Sequence, residues 1–200
     1  MCVGSAAEVT LDKALRLWPI GVLGMLILGF ALPHGSTRLD DWFHGLEEIP
    51  LRWLTVFVSP WLNGLVLAVV VGVALYRRWW RTVVVALVFP LAAYGLVQLL
   101  KPVIGREKGS GLAYPSGHVT VTVVIWGLAI VLAGGALWAV WVGVGVSVLG
   151  AIGVGATFHY LTDTFGGLLL GTALVGVAAL IAKPDLTRVN PGAIYVTRGG

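Results

Sequence analysis

The chain reads as an all-α integral membrane protein, a bundle of about six transmembrane helices. Three observations predict this. Its 200 residues are 58% hydrophobic and only 11% charged, whereas an ordinary soluble domain carries about 25% charged residues. The apolar residues gather into stretches near the ~20 residues that a bilayer-spanning helix requires. The 28 glycines follow no collagen-like repeat, and small residues let membrane helices approach closely. Gly143-Val144-Gly145 and the run Gly150–Gly155 fit helix packing better than ligand binding.

Six stretches are expected to span: Ala14–Leu32, Trp53–Tyr76, Thr82–Leu100, Gly117–Ala133, Ala136–Phe158 and Thr164–Ala182. Arg16 lies near the end of the first, where its side chain reaches the interface. A signal peptide is the alternative for that stretch. Glu8 and Asp12 dilute its basic region and no small-x-small cleavage signal precedes Pro33, so a retained helix is expected. Ser59-Pro60 divides the second stretch into a short interfacial piece and a span starting near Pro60. Gly134-Gly135 alone separates the fourth and fifth, which predicts a tight helical hairpin. The domain is single, 14–182, between tails 1–13 and 183–200. No internal repeat supports an inverted-repeat transporter.

Six spans put both termini on one side. Lys13, Arg16, Arg77, Arg78, Arg81, Lys183, Arg188 and Arg198 would share it, and the positive-inside rule makes it the cytoplasm. Trp18, Trp53, Trp61, Trp79, Trp80 and Trp138 lie near span ends, as in aromatic belts. The formal charge of +4 is explained by basic helix ends and membrane topology, without nucleic acid. The single cysteine, Cys2, allows no internal disulfide.

Three segments then fall on the outer side. Lys101, Arg106 and Lys108 place three cations within one short segment, against the positive-inside preference; binding a polyanion explains this, as does a solvated loop or an electrostatic contact with the outer leaflet. Pro115-Ser116-Gly117-His118 opens the fourth span. Serine is a favoured N-cap, and a helix N-terminus attracts anions, so the Ser116 hydroxyl and the Gly117 amide are candidate phosphate donors. A plain helix start explains Pro115 and Ser116 but not a histidine in the first turn, where the dipole disfavours its cation. His159 and Asp163 stand four apart, on one face of a helical turn. A carboxylate that orients one ring nitrogen leaves the other free to attack; a His–Asp pair that only staples the last span is the alternative. His34 and His44 read as surface residues, and no metal-ligand cluster appears.

In this order the segments resemble the type 2 phosphatidic acid phosphatase family, membrane lipid phosphatases related to vanadium haloperoxidases. Pro115-Ser116-Gly117-His118 matches that family's second motif, and His159-x-x-x-Asp163 the catalytic half of its third. The first motif, lysine, six residues, then arginine-proline, is altered: Lys101 is followed at those places by Lys108 and Gly109, with Arg106 two positions earlier. In the third motif Gly153 stands where an arginine is usual. The resemblance implies hydrolysis of a lipid phosphate or diphosphate, without metal or cofactor. His159 would be the nucleophile, Asp163 its orienting acid and His118 the acid–base. Lys101, Arg106, Lys108, Ser116 and Gly117 would hold the phosphoryl oxygens. Partners would be the lipid phosphate and the surrounding membrane lipids. Transfer to an acceptor other than water, a degenerate lipid-phosphate binder and a small transporter or bundle subunit are the alternatives.

Overall fold

The computed structural model describes residues 16–45 and 50–186. Among the described residues seven α-helices form: α1 Trp18–Ala31, α2 Arg38–His44, α3 Pro60–Tyr76, α4 Trp80–Ile104, α5 Gly117–Leu132, α6 Leu137–Thr157 and α7 Leu161–Leu186. A 3-10 helix, Leu51–Val58, precedes α3, and a two-residue-per-strand antiparallel hairpin (β1 Glu107–Lys108, β2 Gly111–Leu112) follows α4.

Among the described residues four helical segments are long and apolar enough to cross a bilayer: Leu51–Tyr76, Trp80–Ile104, Leu137–Thr157 and Leu161–Lys183. The helices Trp18–Ala31 and Gly117–Leu132 are equally apolar but shorter, about 21 and 24 Å at 1.5 Å per residue. Large apolar side chains point outward, such as Leu91 and Val103 on α4 and Trp138 and Trp141 on α6. In water this would be an error of patterning; against hydrocarbon it costs nothing, since the helices satisfy their own backbone groups.

The interior is built around α5 and α7, which pack on each other and on most of the remaining helices. Val70, Ala86, Ala93, Val124, Leu128 and Ala178 form one core cluster between α3, α4, α5 and α7. A second joins Met25, Val97, Ile104, Tyr114 and Leu170. Buried hydroxyls return their protons to the helix itself: Ser147 Oγ donates to Gly143 O at 2.7 Å and Thr120 Oγ1 to Ser116 O at 2.8 Å. Asn63 of α3 donates to Thr122 Oγ1 of α5 at 2.9 Å, a polar contact of the kind that holds membrane helices together.

Element ends follow local chemistry. Pro60 sits at the start of α3, where its missing N–H is harmless, and Ser59 Oγ accepts from Leu62 N at 3.4 Å. Gly134 and Gly135 both take positive φ, 67° and 73°, and turn α5 into α6 as the sequence predicts. The short helix α2, which follows α1, was not expected; Thr37 and Asp40 close a capping box at its start. The hairpin in the basic segment is also new. The last helix runs past the expected boundary to Leu186, because the buried Asp185 side chain accepts from Thr82 N at 3.1 Å and so covers the start of α4. Most of both predicted tails, with Cys2 and Arg188, lies outside the described residues.

Candidate functional site

The end of α4, the start of α5 and the α6–α7 junction meet at one end of the bundle. Each brings its polar residues for a local reason. Lys101 occupies the last turn of α4, where a cation complements the helix dipole. Ser116 is the N-cap residue of α5. His159 and Tyr160 form the break between α6 and α7, and Asp163 falls in the first turn of α7.

Asp163 is the buried centre. Its Oδ1 accepts from Arg106 Nη1 at 2.7 Å and its Oδ2 from Tyr160 N at 3.0 Å. Its backbone carbonyl accepts from Ser116 N at 3.1 Å, which docks the N-terminus of α5 onto the His159–Asp163 segment. His159 Nδ1 faces Asp163 Oδ2 at 3.6 Å, longer than a hydrogen bond, and is buried without a partner. Such a contact commonly tightens once substrate is bound. With Nδ1 turned to the carboxylate, Nε2 is the nitrogen left for chemistry.

His118, in the first turn of α5, is exposed. Its ring stacks on Phe158 at 6.1 Å between centroids, and the ionisable groups nearest to it electrostatically are His159 and Lys101. The Lys101 ammonium makes no hydrogen bond or ion pair among the described residues. Lys108 donates to the backbone carbonyl of His159 at 2.7 Å, lies 3.2 Å from His44 Nε2 and sits 4.9 Å from the Tyr160 ring centre. Ser116 Oγ is fully buried, caps nothing and has no partner among the described residues. The first N–H groups of a helix lack internal acceptors, and no described side chain accepts from those of Gly117 and His118. Ser116 Oγ, the Gly117 and His118 amides and the Lys101 ammonium are thus donors that no described group takes up.

No family model, curated protein or solved structure matches this chain.

Two expectations change. Arg106 does not reach into an open site. It is 1% exposed, and all five of its N–H donors are used: Nε and Nη2 on Gly35 O at 3.2 and 3.0 Å, Nη2 on Asp40 Oδ2 at 2.8 Å, Nη1 on Thr162 Oγ1 at 2.6 Å and on Asp163 Oδ1 at 2.7 Å. No donor remains for a phosphoryl oxygen. His44 is not a plain surface residue, since it packs edge-on to Tyr160 and against Lys108.

Gly153 has a steric explanation. A Cβ there would lie 2.6 Å from both Leu54 C and Thr55 N, because the backbone of the 3-10 helix rests on α6 at this glycine. An arginine in its place has no room unless that segment leaves. Gly117 is different: an added Cβ would meet only Val97 Cγ1, at 3.5 Å, an ordinary contact.

Asp40, Thr162, Tyr160 and Tyr114 were missed as site residues. Asp40 is buried and accepts from Thr37 N and Oγ1, Arg106 and Thr162 N. Burial pushes its carboxyl up, but the hydrogen bonds from Thr162 and Thr37 outweigh this and hold it below its ordinary value. Thr37-x-x-Asp40 is legible as a capping box; the reach to Thr162 is not. Tyr114 is buried and donates to Met25 O at 2.6 Å. Burial, and then the charge of Asp163, push its phenol well above the ordinary value, so it stays a neutral donor.

Proposed function

We propose that this protein is a six-span membrane lipid phosphatase of the type 2 phosphatidic acid phosphatase kind, with its site on the outer side. The observation that carries the reading is the docking of the α5 N-terminus onto the His159–Asp163 segment. Partnerless donors (Ser116 Oγ and the first amides of α5) and the Lys101 ammonium thereby accompany two imidazoles. That set suits a tetrahedral oxyanion.

In this mechanism His159 Nε2 attacks phosphorus, a P–N bond forms and the P–O bond to the lipid breaks. His118 gives its proton to the leaving oxygen. It then takes a proton from water, whose oxygen attacks phosphorus and releases His159. Lys101, Ser116 and the Gly117 amide hold the phosphoryl oxygens, and Lys108 fixes the backbone of the nucleophile. Arg106 belongs to the frame behind Asp163. Substrates are lipid phosphates or diphosphates whose head group lies at the interface: phosphatidic acid, phosphatidylglycerol phosphate or polyprenyl phosphates.

Phosphate release from a panel of these lipids in detergent tests the reading. His159→Ala and His118→Ala should each lower turnover by at least about 10²–10⁴-fold, and vanadate should inhibit the parent. Parent-level release by His159→Ala would exclude His159 as nucleophile. The covered Gly153 favours one second reading, a lipid-phosphate binder without turnover. Tight binding of the lipid phosphate with no released phosphate would support that instead.

A further inference from the structure

The contacts of Arg106 join the first outer loop to the catalytic pair. Asp40 and Asp163 share this one guanidinium at 2.8 and 2.7 Å, and the side chains of all three are at most 1% exposed. Thr162 closes the ring: its N–H donates to Asp40 Oδ1 at 3.0 Å, and its hydroxyl lies 2.9 Å from Asp40 Oδ2 while accepting from Arg106. Two carboxylates and one guanidinium leave the cluster with one net negative charge beside His159. Each partner therefore sets how much of the Asp163 charge the imidazole feels.

We infer that Asp40 and Arg106 are positioning residues that tune the basicity of His159 through Asp163, so that α2 of the first outer loop controls the nucleophile. The inference rests on the reading of His159 as nucleophile only for its effect on rate. The electrostatic coupling itself follows from the contacts.

The coupling has a sign that a purely structural role lacks. Removing the Asp40 charge leaves the whole of Arg106 on Asp163, so protonation of His159 becomes harder. Removing the Arg106 charge leaves Asp163 uncompensated, so protonation becomes easier. Other charged or titratable groups facing this segment are Lys108 on β1 with His44 of α2 behind it, His118 on α5, Lys101 at the end of α4, and Tyr160 and Tyr114. None of these is altered in the variants below, so differences between the variants report the removed charge.

The experiment follows the acid limb of the pH–rate profile and, in the same detergent-solubilised proteins, the titration of the His159 ring by NMR with labelled histidine. Asp40→Asn should move both to lower pH and Arg106→Gln to higher pH. Each shift should be roughly 1–2 pH units, the scale of one charge about 6–12 Å away at an effective dielectric constant near 20. The double variant Asp40→Asn/Arg106→Gln loses one charge of each sign and should return toward the parent. It also replaces Arg106→Gln if that single variant does not fold. Parent-like titration in Asp40→Asn, a double variant that stays at the Asp40→Asn value, or shifts of the same sign in both single variants, would overturn the inference. If the parent releases no phosphate, the phosphatase reading fails while the ring titration still decides the coupling.

Discussion

Arg106 shows how far one residue's role depends on its donors. A guanidinium offers five N–H groups in a fixed fork, and here Gly35, Asp40, Thr162 and Asp163 take them all. The cluster also predicts an acid response. Asp40 titrates below its ordinary value of 3.8, so its contribution to stability is fully present above that value. It is lost as pH falls through the lower folded value. Thermal unfolding in detergent should therefore lose more stability between about pH 5 and pH 2 in the parent than in Asp40→Asn. At neutral pH Asp40→Asn should itself cost on the order of 1–3 kcal/mol, because buried donors lose an acceptor. Equal acid loss in the two proteins would remove Asp40 from the clamp.

At the scale of elements, the 3-10 helix and α6 meet backbone to backbone at Gly153, and the start of α5 meets α4 loosely at Gly117. The two glycines should respond differently to one added methyl. Gly153→Ala puts a Cβ 2.6 Å from main-chain atoms of Leu54 and Thr55, which cannot rotate away; about 1–3 kcal/mol of stability should go, as in other overpacked sites. Gly117→Ala meets only Val97 at 3.5 Å, so its melting temperature should stay near that of the parent. Melting curves of both variants in one detergent make the comparison. Similar curves would mean that the 3-10 helix does not rest on α6 as described.

For the whole molecule, the polar cluster and the arginine-rich α3–α4 turn mark opposite ends of the bundle. Four helices long enough to span and two shorter ones leave orientation to the distribution of basic residues, and the proposal puts the cluster outside. Ser110, exposed in the hairpin turn, and Arg78, exposed between α3 and α4, probe the two ends. In a Cys2→Ser background, Ser110→Cys should react with a membrane-impermeant maleimide on intact cells. Arg78→Cys should react only after permeabilisation. The reverse pattern would place the His118–His159 site in the cytoplasm.

What the sequence determined by itself is what depends on neighbours along the chain. Apolar run length marks the helices, Ser59-Pro60 and Gly134-Gly135 mark their ends, and the Ser-Gly-His and His-x-x-x-Asp spacings single out Ser116, His118, His159 and Asp163. Apolar length fell a few residues short for α1, and the hairpin in the basic segment and α2 carried no apolar signal at all. The partners of each polar group were decided only in three dimensions. Arg106 reads as one more cation of a basic segment until Asp40, 66 residues away in the chain, approaches it. Gly153 reads as a lost arginine until the backbone of the 3-10 helix is laid upon it. The reason is physical: a helix closes its hydrogen bonds within four residues, whereas a buried charge or a close backbone contact is satisfied by whichever distant segment packing delivers.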